Sequence, residues 1–115
     1  MISYDEFKRV EIRAGKILAA EKVAEADKLL KLMVDLGEKE ENGEQKLRQI
    51  ISGIAPYFPD PSLLIGKTAM FVTNLAPRTI RGLESQGMLL AVSGADGAFS
   101  LLTPNNNIPP GSLTS

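Results

Sequence analysis

Leu30, Leu32, Val34 and Leu36 alternate with Lys31, Met33 and Asp35, and this strict period of two marks an extended strand with one buried and one wet face. The same alternation occupies Val10-Glu11-Ile12-Arg13-Ala14, resumes after Gly15 as Lys16-Ile17-Leu18-Ala19-Ala20, and a further apolar run covers 47–52. A glycine inside a strand pattern marks a bulge or sharp bend. The first strand is therefore expected to curl at Gly15 and to be shared by two sheets. A charged connection over 21–28 leads to the second strand. The acidic run 38–44 contains Asn42-Gly43, whose positive φ angles suit the tight turn of a hairpin. The first half reads as a β-meander.

The second half is more broken. Gly53, Pro56 and Pro59 interrupt the sheet, and Asp60-Pro61-Ser62-Leu63-Leu64-Ile65-Gly66 carries an N-cap, a first-turn proline and a terminal glycine. That pattern predicts a helix of about a turn and a half, placed to plug one end of a barrel. Fourth and fifth strands follow at 68–73 and 88–92, and 99–102 pairs back across the turn Ser93-Gly94-Ala95-Asp96-Gly97. At the N-terminus, Ser3 and Glu6 have capping-box spacing. The tail 103–111 is turn-rich and is expected to run over the surface or a partner. This order makes the chain one all-β domain, residues 1–115, with short helices. It is a small barrel whose helix lies between the third and fourth strands, as in oligonucleotide/oligosaccharide-binding barrels. An SH3-like barrel remains the alternative on pattern alone.

The chain has no cysteine and no histidine, which removes the common zinc sites, thiol nucleophiles and imidazole bases together. No nucleophile-base pair, metal cluster or phosphate-cradling glycine loop stands out, so neither catalysis nor a cofactor is expected. No apolar run reaches the roughly 20 residues of a membrane span, and residues 1–6 are too polar for a signal peptide, which places the chain in the cytoplasm. The formal net charge is −1, so any cationic surface has to be local.

Residues 74–90, between two apolar runs, supply such a locality. They hold Arg78 and Arg81 between Pro77 and Gly82, with Asn74, Ser85 and Gly87 alongside. Guanidiniums presented this way can fork onto phosphate oxygens; the competing reading is a solvated loop with an arginine paired to Glu84. None of the aromatic residues falls in this stretch, so recognition by backbone and shape fits better than base stacking.

Four segments together resemble a known family: Phe7-Lys8-Arg9-Val10-Glu11-Ile12-Arg13-Ala14-Gly15-Lys16-Ile17, Ala26-Asp27-Lys28-Leu29-Leu30-Lys31-Leu32, Arg48-Gln49-Ile50-Ile51-Ser52-Gly53-Ile54, and the stretch 74–90. They are similar to the tRNA-binding domain appended to methionyl-tRNA synthetases and also found free-standing. The resemblance implies an oligonucleotide-binding barrel with N- and C-terminal extensions that grips tRNA structure-specifically without catalysis. It puts the binding face on Lys28, Lys31, Arg48, Ser52, Asn74, Arg78, Arg81, Ser85 and Met88. Its implied partners are tRNA, a second copy of the chain and a synthetase catalytic chain. For the dimer contact, Tyr4, Phe7, Leu101 and Ile108 are the candidates.

Two other classes compete. An export-related chaperone branch of the same fold predicts an exposed apolar groove for polypeptides. A small carboxylate enzyme would need Asp27 and Asp35, eight residues apart, to converge.

Overall fold

The computed structural model describes residues 1–115. A helix α1 (Tyr4–Lys8) precedes strands β1 (Ile12–Val23), β2 (Ala26–Lys39) and β3 (Gln45–Ser52). Two 3₁₀ turns (Ala55–Tyr57 and Pro61–Leu64) lead to β4 (Thr68–Val72), β5 (Arg78–Ile80), β6 (Leu83–Ser85), β7 (Met88–Leu89), β8 (Ala91–Ser93) and β9 (Phe99–Leu101). The main sheet has the order β3-β2-β1-β4-β7; β5-β6 and β8-β9 are separate hairpins. No helix is long and apolar enough to cross a membrane.

The alternation does what it predicts. Leu30, Leu32, Val34 and Leu36 all face inward and join Ile17, Ile50 and Phe71 in one apolar cluster, each such side chain contributing about 1.5–3 kcal/mol of transfer free energy. Strand β1 is not shared by two sheets but lies inside one five-stranded sheet, pairing with β4 over Ile12 to Lys16 and with β2 from Lys16 to Val23. Gly15 is not the bulge, which lies between Ile17 and Ala19. A Cβ at Gly15 would stand 2.7–2.9 Å from Val34, Leu36 and Phe71, so glycine there lets strand and core approach closely. Asn42-Gly43 does turn the β2-β3 hairpin, with Gly43 at φ 86°.

Other expectations change. The charged connection over 21–28 is strand on both sides of a tight turn at Ala24 and Glu25, the latter at φ 61°. The predicted helix is a single 3₁₀ turn, capped by Asp60 accepting from Ser62 N–H at 3.1 Å, and it delivers Leu64 fully buried into the core. The fifth strand splits at Leu90 into β7 and β8. Beyond the turn-rich stretch, the end of the chain pairs with β1: Gly111 N–H donates to Ala14 O at 2.7 Å, Ala14 N–H to Ser112 O at 2.9 Å and Thr114 N–H to Ile12 O at 3.0 Å. It fills the edge of β1 that β2 leaves vacant.

No ladder joins the outer strands β3 and β7, so the sheet is curled but not closed by continuous backbone pairing. Its seam is stitched instead by single bonds. Gln86 N–H donates to Gln49 O at 2.8 Å, Gln49 N–H donates to Gln86 Oε1 at 3.0 Å, and Ile51 N–H donates to Ser85 Oγ at 3.0 Å.

Candidate nucleic-acid interface

The polar stretch after β4 is not an irregular loop. Its centre is the β5-β6 hairpin, in register Arg78 to Ser85, Thr79 to Glu84 and Ile80 to Leu83. Arg81 (φ 52°) and Gly82 (φ 80°) form its turn. Positive φ at both turn positions matches the right-handed twist of the flanking strands. Glycine adopts this freely, whereas arginine there costs about 1–2 kcal/mol. The β5-β6 register holds Arg81 exposed at the hairpin tip despite that cost.

The hairpin's stems are tied down by the residues that flank it. Asn74 accepts from Glu11 N–H at 2.9 Å and donates to Arg9 O at 2.7 Å. Thr73 Oγ1 donates to Glu11 Oε1 at 3.0 Å. The Ser85 hydroxyl, buried, also donates to Gly87 O at 3.1 Å. Arg48 forks onto Glu38, Nε–H to Oε1 and Nη2–H to Oε2, both at 2.9 Å. The Arg48 fork, against the opposing cost of burial, holds the Glu38 carboxyl below its ordinary value. Glu11 is likewise lowered, first by its bond to Arg13 and then by Thr73.

The nine residues expected on the face therefore divide. Arg78, Ser85 and Met88 meet in a depression floored by Ile51, Ile80 and Leu75. Lys28 and Arg81 meet across a second depression beside Ile80, and Lys31 and Arg81 line a third with Lys22 and Leu83. Ser52 ends β3 opposite Leu30 and lines none of these three. Arg48, Asn74 and Ser85 spend their polar groups inside the molecule, and Lys31 pairs with Glu21 at 2.6 Å. The other ion pairs are Arg13 with Glu11 and Arg48 with Glu38, so Lys28, Arg78 and Arg81 make no ion pair, although Glu25 and Asp27 line the same depression as Lys28 and Arg81; Glu84 does not pair with either hairpin arginine. Lys22, Leu75 and Ile80 were missed by sequence reasoning. Lys22 lay hidden in an apparent connection, and the two apolar residues carry no signal until the hairpin folds over β3.

No group of three or more His, Cys, Asp or Glu side chains could hold a metal. Asp35 accepts from Gly37 N–H at 2.8 Å and Gln45 Nε2–H at 2.9 Å beside the register shift in β2. Asp27 lies some eight strand residues away, about 26 Å at the usual rise, so the two carboxylates do not converge.

A curled five-stranded antiparallel sheet with a helical turn before its fourth strand and a cationic hairpin beside it defines an oligonucleotide-binding fold. A family model described as "Putative tRNA binding domain" matches residues 12–113, and the chain belongs to that family. It is 50% identical over 111 residues to the methionine–tRNA ligase of Methanoregula boonei, covering 96% of this chain and 15% of that enzyme. The chain thus spans about a seventh of the ligases it matches. Among solved structures, the MetRS related protein from Pyrococcus horikoshii has a TM-score of 0.85 at 36% identity, covering 100% of this chain and 98% of that one. Chaperone CsaA from Bacillus anthracis has a TM-score of 0.82 at 27% identity, covering 100% and 99%.

Proposed function

We propose that this chain binds folded tRNA through backbone and shape, catalyses nothing itself, and works in the cytoplasm beside or within a methionyl-tRNA synthetase. The observation that carries this reading is that Arg78, Arg81 and Lys28, on and beneath the β5-β6 hairpin, make no ion pair and leave their donors free for a ligand, in a chain of the tRNA-binding family. The footprint is accordingly Lys28, Arg78, Arg81 and Met88, with Lys22 and Lys31 beside them and Ser52 at the margin. Arg48, Asn74 and Ser85 hold the hairpin in place.

Each phosphate neutralised adds about 0.7–0.9 to the salt slope, so a few cations per protomer bind weakly at physiological salt. A dimer offering two faces to one rigid RNA gains by effective concentration. Tyr4 and Phe7 suit such a contact: they are 73% and 53% exposed on a helix with no buried residue, near exposed Val10 and Leu113. Leu101 packs against the core and Ile108 is half-buried, which makes them weaker candidates. Sedimentation of the Tyr4→Ser, Phe7→Ser double variant tests the dimer; a mass unchanged from wild type removes those residues from the interface.

The binding test is a salt-stepped titration against two unrelated tRNAs, with single-stranded RNA and a plain duplex as controls. Similar affinity for both tRNAs, preference over the controls, and a slope reduced by about 1.4–1.8 in Arg78→Ala with Arg81→Ala are expected. Indifference to folding or to both substitutions sinks the reading. A polypeptide-binding role is the second reading, favoured by Leu75 and Met88, each 46% exposed in the depression beside Arg78; binding of an unfolded polypeptide in the same assay, with none of tRNA, selects it.

A further inference from the structure

The acidic run 38–44 looks like a surface to be kept away from RNA, yet one of its members reaches the binding segment. Glu38 takes two of Arg48's donors, and the remaining nitrogen, Nη1, donates to Thr73 O at 2.5 Å and to Gln86 O at 3.1 Å. Those carbonyls directly bracket residues 74–85. A single guanidinium nitrogen thus ties off both ends of the segment that carries Arg78 and Arg81. Because the guanidinium is planar and rigid, fixing Nε and Nη2 on a carboxylate also fixes where Nη1 points. The Arg48 and Glu38 side chains are only 22% and 32% exposed, so the fork is partly shielded from water.

We propose that Glu38 is a positioning residue for the nucleic-acid face. By orienting Arg48 it sets the separation of Thr73 and Gln86, and hence the pose of the β5-β6 hairpin, without touching the ligand. The proposal rests on the RNA reading above and makes a prediction opposite to that of charge alone. An acid that acted only through its field would, when neutralised, strengthen binding to a polyanion. Neutralising Glu38 weakens it.

The experiment is the tRNA titration repeated with Glu38→Gln at a temperature well below its melting transition. Affinity is expected to fall about three- to tenfold at every salt concentration. The salt slope stays within about 0.3 of wild type, because no phosphate contact is lost. Ile17→Val, a core change that also lowers stability, leaves affinity unchanged, since both variants are fully folded in the assay. A readout without RNA accompanies it: the amide resonances of Arg81 and Gly82 shift in Glu38→Gln and not in Ile17→Val. If Glu38→Gln does not fold, Glu38→Asp, which keeps the charge but withdraws the fork, takes its place with the same expected direction. Equal or tighter tRNA binding, or unshifted hairpin amides, overturns the proposal. A wild-type chain that binds no tRNA sinks the earlier reading instead, and the amide shifts then decide only whether Glu38 sets the pose of the hairpin.

Discussion

Around Arg48 each guanidinium nitrogen has an acceptor, and no buried side-chain nitrogen or oxygen anywhere in the molecule lacks a partner. Around Arg78 and Arg81, in the segment that Thr73 and Gln86 bracket, the guanidiniums have no ion-pair partner, and the hairpin tip even holds an arginine in a backbone region that suits glycine. One side-chain type thus serves two ends. Where the sheet fails to close by backbone pairing, arginine fills the gap as a five-donor connector. On the proposed binding face, its charge is left unspent. The seam is expected to govern stability and pose, and the hairpin to govern affinity and its dependence on salt.

The largest effect expected from this contrast is at the seam. Arg48→Met leaves Glu38 without its fork and Thr73 O and Gln86 O without their donor, and should cost about 2–3 kcal/mol in urea unfolding. Arg78→Ala should cost less than about 0.5 kcal/mol. Equal losses at the two positions would erase the distinction. A smaller effect concerns acid. Glu38 and Glu11 both have folded pKa values below the ordinary 4.5, so the unfolded chain binds more protons on acidification. Their contribution to stability is complete above the unfolded value and is lost as pH falls through the folded ones. The urea midpoint should hold steady above about pH 5.5 and drop below about pH 4.5, and Glu38→Gln should shallow that drop. A midpoint that rises on acidification would contradict the geometry. The smallest effect is at the hairpin tip. Arg81→Asn creates the Asn-Gly pair that such turns favour and should stabilise the fold by about 0.5 kcal/mol, while weakening tRNA binding. A variant both more stable and equally tight would remove Arg81 from the face.

Local chemistry carried much of this into view. Period-two alternation placed β1 and β2, apolar runs placed β3 and β4, Ser3 and Glu6 made the predicted capping box at 3.1 Å in both directions, and Asp60 with Pro61 marked the turn that buries Leu64. Those devices act within a few residues, so the sequence displays them directly. The four family segments also pointed to the tRNA-binding family to which the chain belongs.

What the sequence by itself determined was therefore the strand pattern, the turns, the family and the stretch that bears the free arginines. Tertiary structure alone decided how the arginines divide their work. Arg48 meets Thr73 and Gln86 across 25 and 38 residues of chain, Asn74 meets Arg9 across 65, and the tail pairs with β1 only because β2 leaves that edge empty. A side chain's donors are the same in any sequence context. Only the folded arrangement of distant carbonyls and carboxylates determines which of them are already satisfied and which remain for a ligand.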